Sequence, residues 1–122
     1  APVITTDTLS ADSVYNVEIE LNNTITDPDE NITTEVQDES DVHQFFFQPN
    51  GANVTVAYAD TDANGLPIGL ECVWTVGAAS NGTITVTLRH EPDKTAAGVS
   101  AGDITNAGGE TDAEVTFPVV IE

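Results

Sequence analysis

The sequence predicts an all-β fold: a single β-sandwich of about seven strands, immunoglobulin-like or Greek-key in arrangement. Valine, isoleucine and threonine together number 39 of the 122 residues, whereas leucine numbers 5 and methionine 0. β-branched side chains favour pleated strands over helices. Short alternating runs are separated by the turn signals "PNGAN", "DANGLP" and "ASNG", as in sandwich domains. All of residues 1–122 fit one domain.

Each strand is predicted from its own pattern. In 13–21 the apolar residues alternate with polar ones, and in 82–90 the residues Ile84, Val86 and Leu88 point inward with threonines outward. Pro118 predicts an edge position or a bulge for the last strand. The predicted strands are 2–9 (an edge), 13–21, 43–48, 53–59, 68–76, 82–90 and 113–122, and 30–36 is either a short strand or a helical turn.

Residues 91–112 interrupt this regular spacing. They are rich in glycine, alanine and polar residues, and a loop of that length is usually functional, mobile, or the carrier of a short helix. The acidic residues of this loop, Asp103, Glu110 and Asp112, are a weak second candidate for binding a cation.

Cys72 is the only cysteine, which excludes an internal disulfide. Period-two alternation places it on one face with Ile68, Leu70, Trp74 and Val76. No basic residue that would activate a thiolate is nearby in the sequence. We therefore predict that Cys72 is a buried core thiol and not a nucleophile.

The charge balance narrows the classes of partner. The chain has 21 acidic residues against two basic ones, a net charge of −19. Such a field repels nucleic acid and anionic lipid and attracts cations, and no apolar run is long enough to span a membrane. The same charge also serves solubility, or life in a salt-rich environment where ions screen the repulsion. Charge by itself identifies no site.

The segment "DTDANGLPIGLE", residues 60–71, has the residue spacing of a twelve-residue calcium loop. Its candidate Ca²⁺ ligands are the side chains of Asp60, Asp62, Asn64 and Glu71 and the carbonyl of Leu66. The flanks are predicted strands rather than helices, and a strand would carry Glu71 away unless Pro67 and Gly69 fold the chain back. The alternative is a hairpin loop whose Asp and Asn side chains bond their own backbone.

The two histidines offer a second kind of metal site. His43 opens a predicted strand and His90 ends another, directly before Glu91. If both ends lie on one rim of the sandwich, the three residues are candidate ligands of a transition metal, with Asp41 or Glu39 as other donors. The alternative is a pair of ordinary strand-end histidines, each bonded to a nearby carboxylate. Arg89 and Lys94 are predicted to act as counter-charges in the same rim.

Four phrases, "DVHQFFFQ", "DANGLPIGL", "TLRHEPDKTAAGV" and "AGDITNAGGETDAEVTFPV", resemble a family of small bacterial cell-envelope lipoproteins labelled type 1 periplasmic-binding-domain proteins. The resemblance implies export, exposure at the cell surface and partnership with outer-membrane components, and it implies no activity. Members carry a lipoprotein signal and further strands upstream of the part that matches "APVITT". The resemblance therefore implies either a trimmed chain or a sandwich edge completed by another chain.

Catalysis has little support in the sequence, since no nucleophile elbow, phosphate-binding loop or two-cysteine metal motif is present, and abundant carboxylates alone are not a mechanism. We expect a non-enzymatic extracellular or cell-surface module that Ca²⁺ stabilises. It could also be a fibre subunit that pairs with itself or with other cell-surface proteins through "AEVTFPVVIE" or "PVITTDTL" as edge strands. The alternative is a surface lipoprotein that captures a transition metal or cofactor for an outer-membrane transporter.

Overall fold

Two antiparallel three-stranded sheets pack face to face in the computed structural model, which describes residues 6–23 and 30–122. The first sheet has the strand order β1-β6-β5 and the second β4-β7-β8, while β2 and β3 form a separate pair. The strands are β1 (Val14–Glu18), β2 (Asn22–Asn23), β3 (Glu30–Asn31), β4 (His43–Asn50), β5 (Val54–Tyr58), β6 (Glu71–Val76), β7 (Ser80–His90) and β8 (Glu110–Ile121). One α-helix, α1 (Ile32–Asp38), and the 3₁₀ helices Ser40–Val42, Val99–Ala101 and Ile104–Asn106 complete the described elements.

The core lies between the two sheets and is built from the predicted apolar faces. Phe45 and Phe47 of β4 and Ile84 of β7 meet Cys72 and Val76 of β6 there. Alternation puts every second side chain of a strand on this inner face, which confirms the all-β sandwich. Cys72 is buried as predicted, and burial, with a smaller contribution from the charge of Asp60, raises the pKa of its thiol to about 12.

Six of the described strands have five or more residues, so the prediction of about seven was too high. In the predicted strand 2–9, residues 2–5 lie outside the described residues, 6–8 form no strand, and Leu9 makes one parallel bridge to Ile121. Of residues 30–36, predicted as a short strand or a helical turn, 30 and 31 form β3 and 32–36 lie in α1. The carbonyl of Leu21, directly before β2, accepts hydrogen bonds from the first amides of α1 at Ile32 and Thr33, which holds the start of the helix.

Strand β4 is buried on both faces because the long loop folds over its outer side. Phe46 is completely buried beneath Val99 and Ala107 in a second small core. Gln44, also fully buried, donates a hydrogen bond from Nε2 to the carbonyl of Val99 at 2.8 Å. The loop thus carries short helices, one of the predicted alternatives. In the described parts of the chain the longest helix has seven residues, and none is long and apolar enough to cross a membrane.

Candidate metal centre

His43 and His90 meet at one end of the second sheet. They are direct partners in the register of β4 and β7, so their side chains leave the sheet on the same face. Their rings stack with centroids 4.8 Å apart and an interplanar angle of 14°. His43 is buried, and the His90 side chain is 37% exposed. The structure therefore brings together the two histidines that the sequence placed at separate strand ends.

Asp112 completes this group, and it does so because β8 contains a bulge. Leu88 pairs with Ala113, but its neighbour Arg89 pairs with Thr111, so Asp112 is an extra residue without a partner on β7. Bulges change the direction of a side chain relative to the regular alternation. Here the carboxylate of Asp112 lies beside both imidazole rings.

The separations between these donor atoms resemble those around a bound metal. Asp112 Oδ2 is 3.5 Å from His43 Nε2 and 3.7 Å from His90 Nδ1, and the three donors lie within 4.8 Å of one another. Metal–ligand bonds of 2.0–2.1 Å in a tetrahedral site place neighbouring donors about 3.3 Å apart. Because the two rings are stacked nearly parallel, the partly exposed His90 ring has to rotate before the lone pairs of both imidazoles point at one ion. Among the described residues, this is the one cluster of three or more His, Cys, Asp or Glu side chains with such spacing.

The tautomer of His43 is set by the backbone. Its Nδ1 lies 2.9 Å from the carbonyl oxygen of Glu39, so in the neutral ring Nδ1 donates and the lone pair is on Nε2, which faces Asp112. Metal-binding histidines commonly use their second nitrogen in this way. A cleft of about 320 Å³ opens beside the rings, with apolar walls that include Val36 and Leu88.

Glu91, the third predicted ligand, takes a more peripheral position. Its carboxylate is 3.7 Å from His90 Nε2, on the nitrogen that does not face Asp112, and its side chain is 75% exposed. The backbone of Glu91 has a positive φ of 55°, which turns the chain away from the end of β7. The sequence had included Asp112 only in a weaker acidic group, because a bulge leaves no signal in the residue pattern.

The predicted calcium loop, residues 60–71, folds around its own backbone. Asp60 Oδ1 accepts from the amide of Gly69 at 2.8 Å and Oδ2 from the amide of Glu71 at 3.1 Å. Gly69 has a φ of +95°, and a Cβ at this position would lie 2.8 Å from Cβ of Phe45. This glycine therefore folds the chain back, as the sequence required if Asp60 and Glu71 were to stay near each other.

Both carboxylate oxygens of Asp62 in the folded loop accept hydrogen bonds. Its Oδ1 accepts from the amides of Asn64 at 2.8 Å and Leu66 at 3.0 Å. Its Oδ2 is 2.8 Å from Lys94 Nζ. Although burial by itself would raise the pKa of Asp62, the bond to the Lys94 ammonium and the two backbone amides lower it below its usual value.

Lys94 supplies a cation to this loop from within the chain. Its side chain is 4% exposed, and that of Asp62 is fully buried. The three ammonium hydrogens are all used, because Nζ also donates to the carbonyls of Ser40 at 2.7 Å and Pro67 at 3.0 Å. Lys94 therefore ties together the 3₁₀ helix Ser40–Val42, the 60–71 loop and the long loop, and its partner is Asp62 instead of the histidine rim.

The remaining predicted Ca²⁺ ligands are placed as follows. The carbonyl of Leu66 accepts from the amide of Asp62 at 2.7 Å. The residues Asn64 and Glu71 are exposed. The loop thus has the backbone-bonded form that was the alternative to a calcium site, with a lysine added. Calcium binding by this loop stays a prediction.

Comparison of the chain with protein-family models, curated proteins and solved structures finds no significant match to any of them. The resemblance to cell-envelope lipoproteins therefore stays a prediction, and the functional argument is carried by the chain's own geometry.

Proposed function

We propose that this chain is a non-enzymatic module that captures a divalent transition-metal ion with His43, His90 and Asp112. The observation that carries the proposal is the convergence of two imidazoles and one carboxylate with donor separations of 3.5 and 3.7 Å. These distances are too long for good hydrogen bonds and are close to those between ligands of one ion.

The ligand types favour Zn²⁺ or Cu²⁺ over Ca²⁺ and Mg²⁺. Imidazole suits zinc, copper, nickel and iron, whereas calcium and magnesium prefer oxygen donors. Asp112 makes no ion pair with Arg89 or Lys94 among the described residues, so its negative charge is available to a metal cation. The strongly negative field of the whole chain raises the local concentration of any cation.

Two observations support a binding role rather than a catalytic one. The Cys72 thiol is buried, and its pKa is raised to about 12, so it is a poor nucleophile. Burial also raises the pKa of Tyr58 to about 12, and its hydroxyl donates to the carbonyl of Phe45 at 2.6 Å. Both groups serve the packing of the sandwich.

The direct test is calorimetric titration of chelator-treated protein with Zn²⁺, in the presence of excess Mg²⁺ to saturate weak acidic sites. We expect one ion per chain, with an affinity that falls in acid because protons compete for the imidazoles. Asp112→Asn and His90→Ala should each lower the affinity by at least about 10–100-fold, because the loss of a hydrogen-bond partner of a metal ligand already costs that much. Visible absorption of a Co²⁺-loaded sample reports the coordination geometry.

Glu110→Gln is the matched control for Asp112→Asn, because it removes the same charge. Glu110 is exposed, on the same strand, and is the register partner of His90. Equal losses in the two variants would mean that zinc responds only to net charge, and the proposal would be wrong. His90→Ala is preferred to a change at buried His43 because the half-exposed ring contributes less to packing.

The wider biological setting stays a set of predictions. Export to the cell surface, a lipoprotein anchor, delivery of metal to an outer-membrane transporter and assembly into a filament were expected from the resemblance and the strand pattern. Metal capture by an exported acidic domain is compatible with each of them.

A further inference from the structure

An apolar groove of about 300 Å³ opens between the two sheets on the side where β1 and β8 are the edge strands. Its walls include Val17 and Trp74 from the first sheet and Val86, Phe117 and Val119 from the second. These are core-facing side chains of both layers. The groove is therefore an opening into the sandwich between β1 and β8, and Thr6, Asp7 and Leu9 also line it.

The chain itself begins to pair with the outer edge of β8. The amide of Leu9 donates to the carbonyl of Val120 at 2.9 Å, and the amide of Glu122 donates to the carbonyl of Leu9 at 3.0 Å. Backbone groups of successive residues in a strand point to opposite sides. The even-numbered residues of this part of β8 therefore direct their backbone groups away from β7.

By the same alternation, Glu114, Thr116 and Pro118 direct their backbone groups outward. Pro118 has no N–H to offer, in keeping with its edge position. Glu114 and Thr116 each present an N–H and a C=O that no described backbone group pairs with. The bulge at Asp112 ends the regular edge on one side, and the bridge to Leu9 ends it on the other. Within residues 6–23 and 30–122, a stretch of about five residues of this edge has no backbone partner, which is close to a typical strand length.

The charge around this edge selects its partner. Asp7 on the groove wall and Glu114 on the open edge are acidic. Both basic residues are held elsewhere, Lys94 on a buried carboxylate and Arg89 on a loop carbonyl. Many proteins protect an edge strand with lysine, and this edge has none. A second copy of a chain with a net charge of −19 is repelled, whereas a basic strand is attracted.

We infer that the open edge of β8 binds an extended segment of a partner protein by β-strand addition. The segment carries apolar side chains at alternate positions, which enter the groove, and lysine or arginine between them, on the face of the sheet that bears Glu114. Main-chain hydrogen bonds to Glu114, Thr116 and Pro118 supply affinity, and the groove supplies specificity, as in other cases of strand addition.

The test uses three synthetic peptides with a fluorescent label. The first alternates valine and lysine, the second has the same sequence with N-methyl groups on the amides that would pair, and the third replaces lysine by glutamate. We expect the first to bind and the second to bind at least about tenfold more weakly, because two or three hydrogen bonds are lost at unchanged charge. The third should not bind. Amide hydrogen exchange of Glu114 and Thr116 should slow only when the first peptide is present.

A pair of variants locates the contact. Thr116→Pro removes one outward N–H and should weaken the first peptide about tenfold, whereas Thr116→Val keeps the N–H and should bind normally. Val also removes the hydroxyl contact between Thr116 and Thr85, so it controls for that loss. If Thr116→Pro does not fold, the peptide comparison and the exchange measurement still decide the question.

Three results would overturn the inference. Equal binding of the N-methylated peptide would mean that the protein acts only as a polyanion. Equal binding of the glutamate peptide would remove the charge selection. Slow exchange of the Glu114 and Thr116 amides in the isolated protein would mean that the edge is already covered, either by this chain's own first residues or by a second copy.

Discussion

The 60–71 loop and the histidine end of the sandwich both gather negative charge, but they neutralise it differently. In the loop, the carboxylate of Asp62 is bonded to Lys94 at 2.8 Å, and both side chains are removed from solvent. At the histidine end, Asp112 lies beside two imidazoles and is partly exposed. One region has a cation built into the chain, and the other has donors suited to a cation from solution.

Ligand spacing therefore has to be considered together with the location of the few basic residues when a cation site is inferred from a sequence. The chain has only Arg89 and Lys94 against 21 acidic residues, so each base is a scarce counter-charge. In the 60–71 loop, which has the calcium-like spacing, Asp62 is paired with Lys94. The histidine cluster, which has no recognisable motif, has no lysine or arginine partner among the described residues and is the better candidate for an external ion.

Replacing Lys94 should produce the largest effect on stability. Lys94→Met keeps most of the apolar stem of the side chain but leaves Asp62 as an uncompensated buried charge, and removing one partner of a buried ion pair costs about 3–5 kcal/mol. We expect urea denaturation to show a loss of this size in the free energy of unfolding. Arg89→Gln is the control, since it changes the net charge equally but removes a hydrogen bond at a more exposed site, worth about 1 kcal/mol. Equal losses would mean that the ion pair has no special role.

The strands of the sandwich could be predicted because their signal is local. Residues 82–90 fell within β7 with the expected inward face, and Cys72 was correctly placed in the core. The long loop could not be folded in advance, since its packing on Phe46 depends on contacts far apart in sequence. The aromatic run "HQFFFQ" did contain one hint, because consecutive phenylalanines on both faces of a strand require cover on both.

Acid should weaken the Lys94 region in a defined pH window. The pKa of Asp62 is lower in the folded protein than in the unfolded chain, where a carboxyl titrates near pH 3.9, at about the model-peptide value. Its contribution is therefore fully present above that pH and is lost as the pH falls through the folded pKa. Asp62→Asn leaves the buried Lys94 ammonium without its counter-charge and should cost about 3 kcal/mol near neutral pH, and the difference from the original protein should shrink below about pH 4.

Unfolding free energies measured across pH 2–7 would test this, since a pH-independent difference would assign the cost to packing instead of charge. A double-mutant cycle sharpens the result. In the Lys94→Met background, Asp62→Asn removes an unpaired buried charge, so it should no longer destabilise.

Calcium should stabilise the Lys94→Met variant more than the original protein, and this difference in the free energy of unfolding should be smaller than the losses described above. Once Lys94→Met has removed the internal ammonium, Asp62 Oδ2 becomes available to Ca²⁺, which prefers oxygen donors. We expect Ca²⁺ to stabilise this variant by about 1.4 kcal/mol when its free concentration is ten times Kd, and to stabilise the original protein less. Thermal melts in EDTA and in Ca²⁺, with Mg²⁺ as the ionic-strength control, measure the difference. An equal shift in both proteins would show that calcium binds without displacing the lysine.

Whether a site residue could be predicted from the sequence also depends on whether its position is set by local pattern or by distant contacts. His43 and His90 could be proposed because both lie at strand ends, which topology can bring to one rim. Asp112 and the pairing of Lys94 with Asp62 could not, because the first depends on a bulge and the second on a contact between residues 32 positions apart. Glu91 was proposed because it is adjacent to His90 in sequence, and adjacency does not fix the direction of a side chain.

The smallest expected effect separates Glu91 from Asp112 at the histidine end. Both carboxylates lie 3.7 Å from a nitrogen of His90, but only Asp112 also approaches His43. A strongly exposed carboxylate contributes little to an electrostatic contact, so Glu91→Gln should change the Zn²⁺ affinity by less than about threefold, against at least about 10–100-fold for Asp112→Asn. The two variants change the net charge equally, and zinc titration under identical conditions compares them directly. If Glu91→Gln caused the larger loss, the ion would bind at His90 Nε2 beside Glu91, and Asp112 would not be a ligand.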